Sequence, residues 1–149
     1  MKIRDTQIIS SRRERVWEVL TGFPDYPAWN NFIQSINGSP KVGSPLEICL
    51  KYNGPKIKRS FVSGAVHPKY FSFSAISGLG SWWYQAEHVF RLTSRDKDQV
   101  EFVYEIFCHG LSLKFSNKKQ NSSLRRGITV MKLALKQRCE QVEQSPGKG

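Results

Sequence analysis

Val16-Trp17-Glu18-Val19-Leu20-Thr21-Gly22-Phe23-Pro24-Asp25-Tyr26-Pro27-Ala28-Trp29-Asn30-Asn31-Phe32-Ile33 joins a helix with one apolar face to a proline-punctuated aromatic loop. Val16, Trp17, Leu20 and Phe23 recur at helical spacing and share that face. Just upstream, Ser11 and Glu14 have capping-box spacing, in which each side chain satisfies a free backbone N–H of the other residue. Gly22 and Pro24 end the helix. Asp25 to Trp29 can form a second short helix, with Asp25 as its cap and Pro27 in its first turn. The stretch holds Trp17, Phe23, Tyr26, Trp29 and Phe32, but no nucleophile, metal-ligand cluster or phosphate loop. It reads as a wall for something apolar.

On either side of it the chain is written for strands, then for one helix. Lys2 to Ile9 is a first strand. After the aromatic loop comes a short strand over Phe32 to Ile36. Leu46, Ile48, Leu50 and Tyr52 then alternate with polar residues, as in a half-buried strand. Asn53-Gly54-Pro55 is a turn. Ile57 to Val66 follows, with Phe61 its clearest inward residue. His67-Pro68-Lys69 turns the chain into Tyr70 to Ala75, where Phe71 and Phe73 share a face. Gly78-Leu79-Gly80-Ser81 is a flexible loop. Tyr84, Ala86, His88, Phe90 and Leu92 alternate on one strand and Val100, Phe102, Tyr104 and Ile106 on the next, joined by a charged turn at Arg95 to Asp98. Short linkers make an antiparallel meander the economical topology. Leu124, Ile128, Met131, Leu135 and Val142 then repeat at helical spacing within Lys118 to Val142.

The expected architecture is therefore α+β. A curved antiparallel sheet of about six to seven strands wraps a long C-terminal helix, with two short helices after the first strand. A sheet with one apolar face must be covered, and the last helix is the element long enough to do it. One domain over 1–142 and a flexible tail over 143–149 account for the 149 residues.

Composition sets outer bounds. Hydrophobic content is 39% and aromatic content 12%, enough for a core and a cavity lining together. No apolar run approaches the roughly 20 residues that span a bilayer, and Met1 to Asp5 has no signal-peptide character, so a cytoplasmic protein is expected. Cys49, Cys108 and Cys139 have no Cys-x-x-Cys spacing and read as reduced thiols in or near the core. The formal charge of +11 is concentrated late in the chain. From Ser112 to Cys139, Lys114, Lys118, Lys119, Arg125, Arg126, Lys132, Lys136 and Arg138 occur with no acidic residue. This is either a solubilising helix face or a docking surface for an anionic partner.

The ordered motifs resemble a known family. Val16-Trp17-Glu18-Val19-Leu20-Thr21, Phe23, Tyr26-Pro27, Trp29-Asn30 and Phe32-Ile33 are similar to the opening signature of the START-like, or SRPBCC, superfamily. The likeness is greatest to its polyketide cyclase/dehydrase-type bacterial members. Gly43-Ser44-Pro45-Leu46, Pro68 ahead of Phe71-Ser72-Phe73, Glu87-His88-x-Phe90-x-Leu92 and Arg126-Gly127-x-x-x-Met131-x-x-Ala134-Leu135-Lys136 follow in family order over roughly residues 3 to 140. The resemblance implies the helix-grip fold, seen also in the birch pollen allergen, with a hydrophobic tunnel between sheet and last helix. It does not imply one activity, because the superfamily includes carriers, receptors, quinone-binding chaperones, aromatases and cyclases.

The expected lining of that tunnel is Phe23, Trp29, Phe32, Phe61, Phe73, Trp83, His88, Phe90, Phe102, Tyr104, Ile128, Met131 and Leu135. His88 shares an inward face by strand parity and is the candidate catalytic residue, as a general base; the competing reading is a structural histidine. Tyr52 and Tyr104 can place hydroxyls in an apolar pocket and orient a ligand. Glu105 has the opposite parity to Tyr104 and faces solvent unless the strand bulges, in which case it enters the pocket. Of Trp82 and Trp83, adjacent on a strand, either one enters the cavity while the other stays outside, or both pack at a sheet edge. His67 sits in a turn and is exposed. No pair among His67, His88 and His109 has metal-ligand spacing, and no cofactor is expected. The leading functional expectation is a binding protein for a small hydrophobic molecule such as a lipid, isoprenoid, quinone or polyketide. The alternatives are a cyclase, aromatase or dehydratase using His88, and a module whose basic helix face meets an anionic membrane or RNA. Basic charge without exposed stacking aromatics argues against nucleic acid.

Overall fold

The computed structural model describes residues 1–51, 55–76, 80, 82–115 and 118–143. The elements run β1 (Lys2–Ile9), α1 (Arg13–Thr21), a 3-10 turn (Phe23–Asp25), α2 (Tyr26–Trp29), β2 (Ile33–Gly38), β3 (Pro45–Lys51), β4 (Pro55–Val66), β5 (Tyr70–Ile76), β6 (Gln85–Asp96), β7 (Gln99–His109), a second 3-10 turn (Leu111–Phe115) and α3 (Lys118–Glu143). The seven strands form one curled sheet in the order β1-β7-β6-β5-β4-β3-β2, each neighbouring pair antiparallel. β2 to β7 are a meander, and β1 returns to pair with β7 from Lys2 opposite Phe107 to Ile9 opposite Val100. The expected α+β helix-grip architecture is the one observed.

α3 packs along β1, with further contacts to β7, α1 and α2. Its inner stripe of Leu124, Ile128, Met131, Leu135 and Cys139 is buried. Polar contacts fasten its second half to the edge strand. Lys132 Nζ lies 2.9 Å from Asp5 Oδ2 and donates to the Thr6 carbonyl at 3.3 Å. The Ser10 amide donates to Glu140 Oε1 at 2.9 Å.

Several local expectations are corrected. The residue before α1 is Arg12, and no side chain caps that end; the Ser11 hydroxyl is instead turned toward the Arg12 carbonyl at 3.5 Å. Asp25 precedes α2 as expected but makes no side-chain cap. It closes a 3-10 turn, and its φ of −90° and ψ of −4° are helical rather than the extended values from which a cap reaches back. Phe61 is not inward. In β4 it pairs with Ser74 on the convex face and is 37% exposed, while Val62, opposite Phe73, faces the core. Trp82 and Trp83 stand in a turn rather than a strand, Trp82 exposed and Trp83 half-buried. That turn is held by Gly110, whose φ of +117° suits glycine and whose Cβ position would fall 2.3 Å from the Trp83 carbonyl oxygen.

Glu105 does lie on the convex face, yet it is 5% exposed rather than open to solvent. Lys2 at 3.0 Å, Arg91 at 3.0 Å and Arg4 at 3.9 Å surround its carboxylate. Burial alone would raise its pKa, but the hydrogen bonds and charges of Lys2 and Arg91 outweigh it and hold the group below the usual range. Glu143 ends α3 instead of starting a tail. The Tyr52 hydroxyl, the Asn53-Gly54 part of the turn, Gly78, Leu79 and Ser81 of the loop, the Lys118, Lys119 and Val142 side chains and the tail over 144–149 lie outside the described residues.

Candidate functional site

Antiparallel pairing places directly opposed residues on the same face, so the register maps the concave wall row by row. One row runs Val62, Phe73, His88, Ile106, Ile3, and the next carries Phe71, Phe90 and Tyr104. The His88 ring stacks on Phe73 at 4.6 Å between centroids, with 10° between planes. Phe90 meets Tyr104 edge-on at 4.7 Å and Phe102 at 5.8 Å. Phe71 continues the layer to Phe23 at 5.8 Å and to Trp17, itself against His67 at 5.3 Å.

His88 and Tyr104 supply the polar centre of this wall. His88 Nδ1 and the Tyr104 hydroxyl share a 2.7 Å hydrogen bond, whose direction depends on the imidazole tautomer. Burial lowers the His88 pKa to about 3. Burial, with the neighbouring Tyr26, raises the Tyr104 phenol well above its ordinary value. Both groups are neutral near pH 7. An imidazole so far below neutral pH is a poor general base but a good fixed hydrogen-bonding group.

The aromatic loop forms the rim. Asn30 Oδ1 accepts from the backbone amides of Phe32 at 2.9 Å and Ile33 at 2.8 Å, which fixes the entry into β2. Phe32 is thereby held against α3 at Gly127. A Cβ there would stand 2.2 Å from Phe32 Cδ2, so only glycine lets the ring lie on the helix. Above this contact opens a cleft of about 320 Å³ lined by Asn31, Phe32, Lys51, Ser123, Arg126, Gly127 and Val130. A smaller cleft of about 210 Å³ lies among Arg15, Glu18, Val19, Asp25, Trp29 and Arg138. Among the described residues no group of His, Cys, Asp and Glu is placed to hold a metal ion.

Of the expected lining, Phe23, Trp29, Phe32, Phe73, Phe90, Phe102, Tyr104, Ile128, Met131 and Leu135 sit in one buried cluster, with His88 buried beside them. Phe61 and Trp83 do not join it. The sequence reading omitted Tyr26 from that lining, although it is fully buried with its hydroxyl donating to the Leu20 carbonyl at 2.7 Å. It also missed the Phe32–Gly127 contact, which no periodicity announces, and the inward position of Lys58 and Ser60. The signal for the last was available. Counting by twos from Val62 puts both on the concave face.

By sequence, the chain matches no protein-family model and no curated protein. Solved structures match its fold over nearly their full length. The Zhui aromatase/cyclase from Streptomyces sp. R1128 superposes with a TM-score of 0.77 at 10% identity, covering 99% of this chain and 98% of that one. A START superfamily protein from Mycobacterium smegmatis gives 0.72 at 17% identity, covering 95% and 98%. The Aha1 dimer from Colwellia psychrerythraea gives 0.73 at 19% identity, covering 100% and 99%. At such identities the likeness is one of fold: this chain has the START-like helix-grip fold.

Proposed function

We propose that the protein binds a small hydrophobic molecule between the concave sheet and α3, as a carrier or presenting protein. The observation that carries this reading is the seam at Phe32. One aromatic ring laid on a glycine closes the junction of helix and sheet, and the cleft of about 320 Å³ lies directly outside it. A side-chain rotation of Phe32 would join that cleft to the aromatic interior without moving a strand. Desolvation of the ligand would then supply most of the affinity, at about 25 cal/mol per Å² of apolar area buried. The His88–Tyr104 pair would orient a polar atom of the ligand. Solved proteins of the same fold include an aromatase/cyclase and a START superfamily protein, which is compatible with this reading.

Displacement of the neutral dye Nile red tests the reading. The wild type should bind the dye and release it to long-chain lipids or quinones. Met131→Trp should fill the interior beneath α3 and weaken dye binding with little loss of fold. Absence of dye binding, or indifference to Met131→Trp, defeats the proposal.

A second reading is favoured by the outer face of α3. Arg125 and Arg126 are exposed there beside Val130 and Leu133, which are 42% and 53% exposed. Cations flanking exposed aliphatic side chains fit the surface of an anionic membrane, from which a hydrophobic ligand would be collected.

A further inference from the structure

The two clefts at the aromatic rim differ in charge. The smaller is balanced: Arg15 and Arg138 share it with Glu18 and Asp25, and Arg15 Nη1 lies 3.5 Å from Glu18 Oε2. The larger, of about 320 Å³, is not. Among the described residues its lining carries two cations, Lys51 and Arg126, and no carboxylate. The sequence carries that statement past the lining. No Asp or Glu occurs in 26–46, 48–86 or 106–139, the stretches from which the cleft is drawn. Its walls therefore supply no anion of their own for the two charges, and an anionic group is what complements them.

The cations come from separate elements, and the seam itself sets them in place. Lys51 ends β3, where its amide donates to the Phe32 carbonyl at 2.8 Å. Phe32 is fixed in turn by Asn30 and lies on Gly127 of α3. Arg126 precedes that glycine. With Ser123 three residues before it and Val130 four residues after, it shares the helix face that walls the cleft. The rest of that wall is largely apolar, made by the Phe32 ring and by Val130, which is 42% exposed. Asn31 adds a side-chain amide able to donate. Two cations over an apolar seam that leads to a buried aromatic interior complement a molecule with a charged end and an apolar body.

We infer that the ligand is an amphiphile with a phosphate head. The phosphate sits in the cleft between the Lys51 ammonium and the Arg126 guanidinium, and the apolar body passes Phe32 into the interior. A phosphate ester carries roughly two negative charges at pH 7, matching two cations where a carboxylate brings one. The guanidinium fork also suits phosphate oxygens. The inference rests on the hydrophobic-ligand reading above and adds to it a chemical class and an orientation, head at the seam and tail inward.

The test compares dodecyl phosphate, 1-dodecanol and inorganic phosphate as competitors of Nile red on the full chain, each below the concentration at which it aggregates. In the wild type, dodecyl phosphate should displace the dye at a concentration about tenfold or more below that of the alcohol, the usual worth of a charge-assisted hydrogen bond. Added salt should narrow the preference, because the cleft is open to solvent. Inorganic phosphate, a head without a tail, should leave the dye in place. Lys51→Gln and Arg126→Gln should each narrow the preference and together remove it, by weakening the phosphate alone. Lys97→Gln, in the β6–β7 turn, makes the same change in net charge outside the cleft and should keep it. Thermal midpoints show that each variant retains the fold. Equal displacement by dodecyl phosphate and the alcohol, a preference that survives the double variant, one lost equally in Lys97→Gln, or displacement by inorganic phosphate overturns the inference and leaves hydrophobic binding standing. Absence of dye binding overturns both proposals.

Discussion

Gly127 decides how tightly the interior is shut. In an exposed helix, glycine to alanine gains about 1 kcal/mol through helix propensity. Here the added methyl would meet Phe32 at 2.2 Å, and Phe32 is 1% exposed with packed neighbours. Overpacking of that kind costs about 1–3 kcal/mol, so Gly127→Ala should lower the urea midpoint rather than raise it. Combined with Phe32→Ala, the same substitution should become neutral or stabilising, because the two positions are in contact and their effects are not additive. His88 makes a second measurable statement. Its folded pKa is about 3 against the usual 6.5, so the unfolded chain takes up a proton that the folded chain refuses. Its contribution is fully present above pH 6.5 and is lost as pH falls toward 3, at about 1.4 kcal/mol per pH unit. Urea midpoints measured from pH 7 to pH 4 should fall less steeply in His88→Gln than in the wild type.

Among the elements, alternation and helical spacing announced nearly every strand and helix, because an exposed face and a buried face demand different residues. Lys2 to Ile9, Tyr70 to Ala75 and the last helix were legible for that reason. β4 was harder. Phe61 is its bulkiest apolar residue and looked inward, but the register with β5 is set by Val62 against Phe73, with an irregularity between Val62 and Gly64. Reading β4 outward from Val62 instead would have put Lys58 and Ser60 inside, against the expectation that lysine and serine mark the wet face. α3 was legible as a buried stripe and a basic remainder, but its charges are not equivalent. Lys132 is bound to Asp5 and Lys136 to Glu140, and Arg138 lines the smaller cleft, so among the described side chains of α3 the exposed cations are Arg125 and Arg126, beside Val130 and Leu133. Vesicles containing anionic lipid should therefore bind the protein at low salt, with about 1 kcal/mol per basic residue near the surface. Arg125→Glu with Arg126→Glu should abolish sedimentation with vesicles while leaving Nile red binding intact. Wild-type protein that ignores such vesicles at low salt has a merely solubilising helix face.

Taken together, sheet, short helices and α3 enclose one interior, so occupancy of that interior must register in global unfolding. A ligand that binds only the folded protein stabilises it by about 2.7 kcal/mol at a hundred times its dissociation constant. A long-chain lipid or quinone that displaces Nile red should raise the thermal midpoint of the wild type in a concentration-dependent way, and raise it less in Met131→Trp. A midpoint that does not move would mean that dye displacement reports surface adsorption.

The pairing of β1 with β7 has a consequence for how the chain is made. The Cys108 amide donates to the Met1 carbonyl at 2.8 Å, and the Met1 ammonium donates to the Cys108 carbonyl at 3.1 Å. β1 is thus made well before β7, the strand it pairs with. At about 5–20 residues per second, β1 spends several seconds beside α1 and the growing meander with its edge unsatisfied. It can join the sheet only after β7 has emerged. Such non-local closure is slow, and during that interval the nascent chain exposes a strand edge and an uncovered aromatic face together. α3 follows β7 and packs along β1, so α3 both completes the grip and ends this fold's period of greatest vulnerability to misassociation.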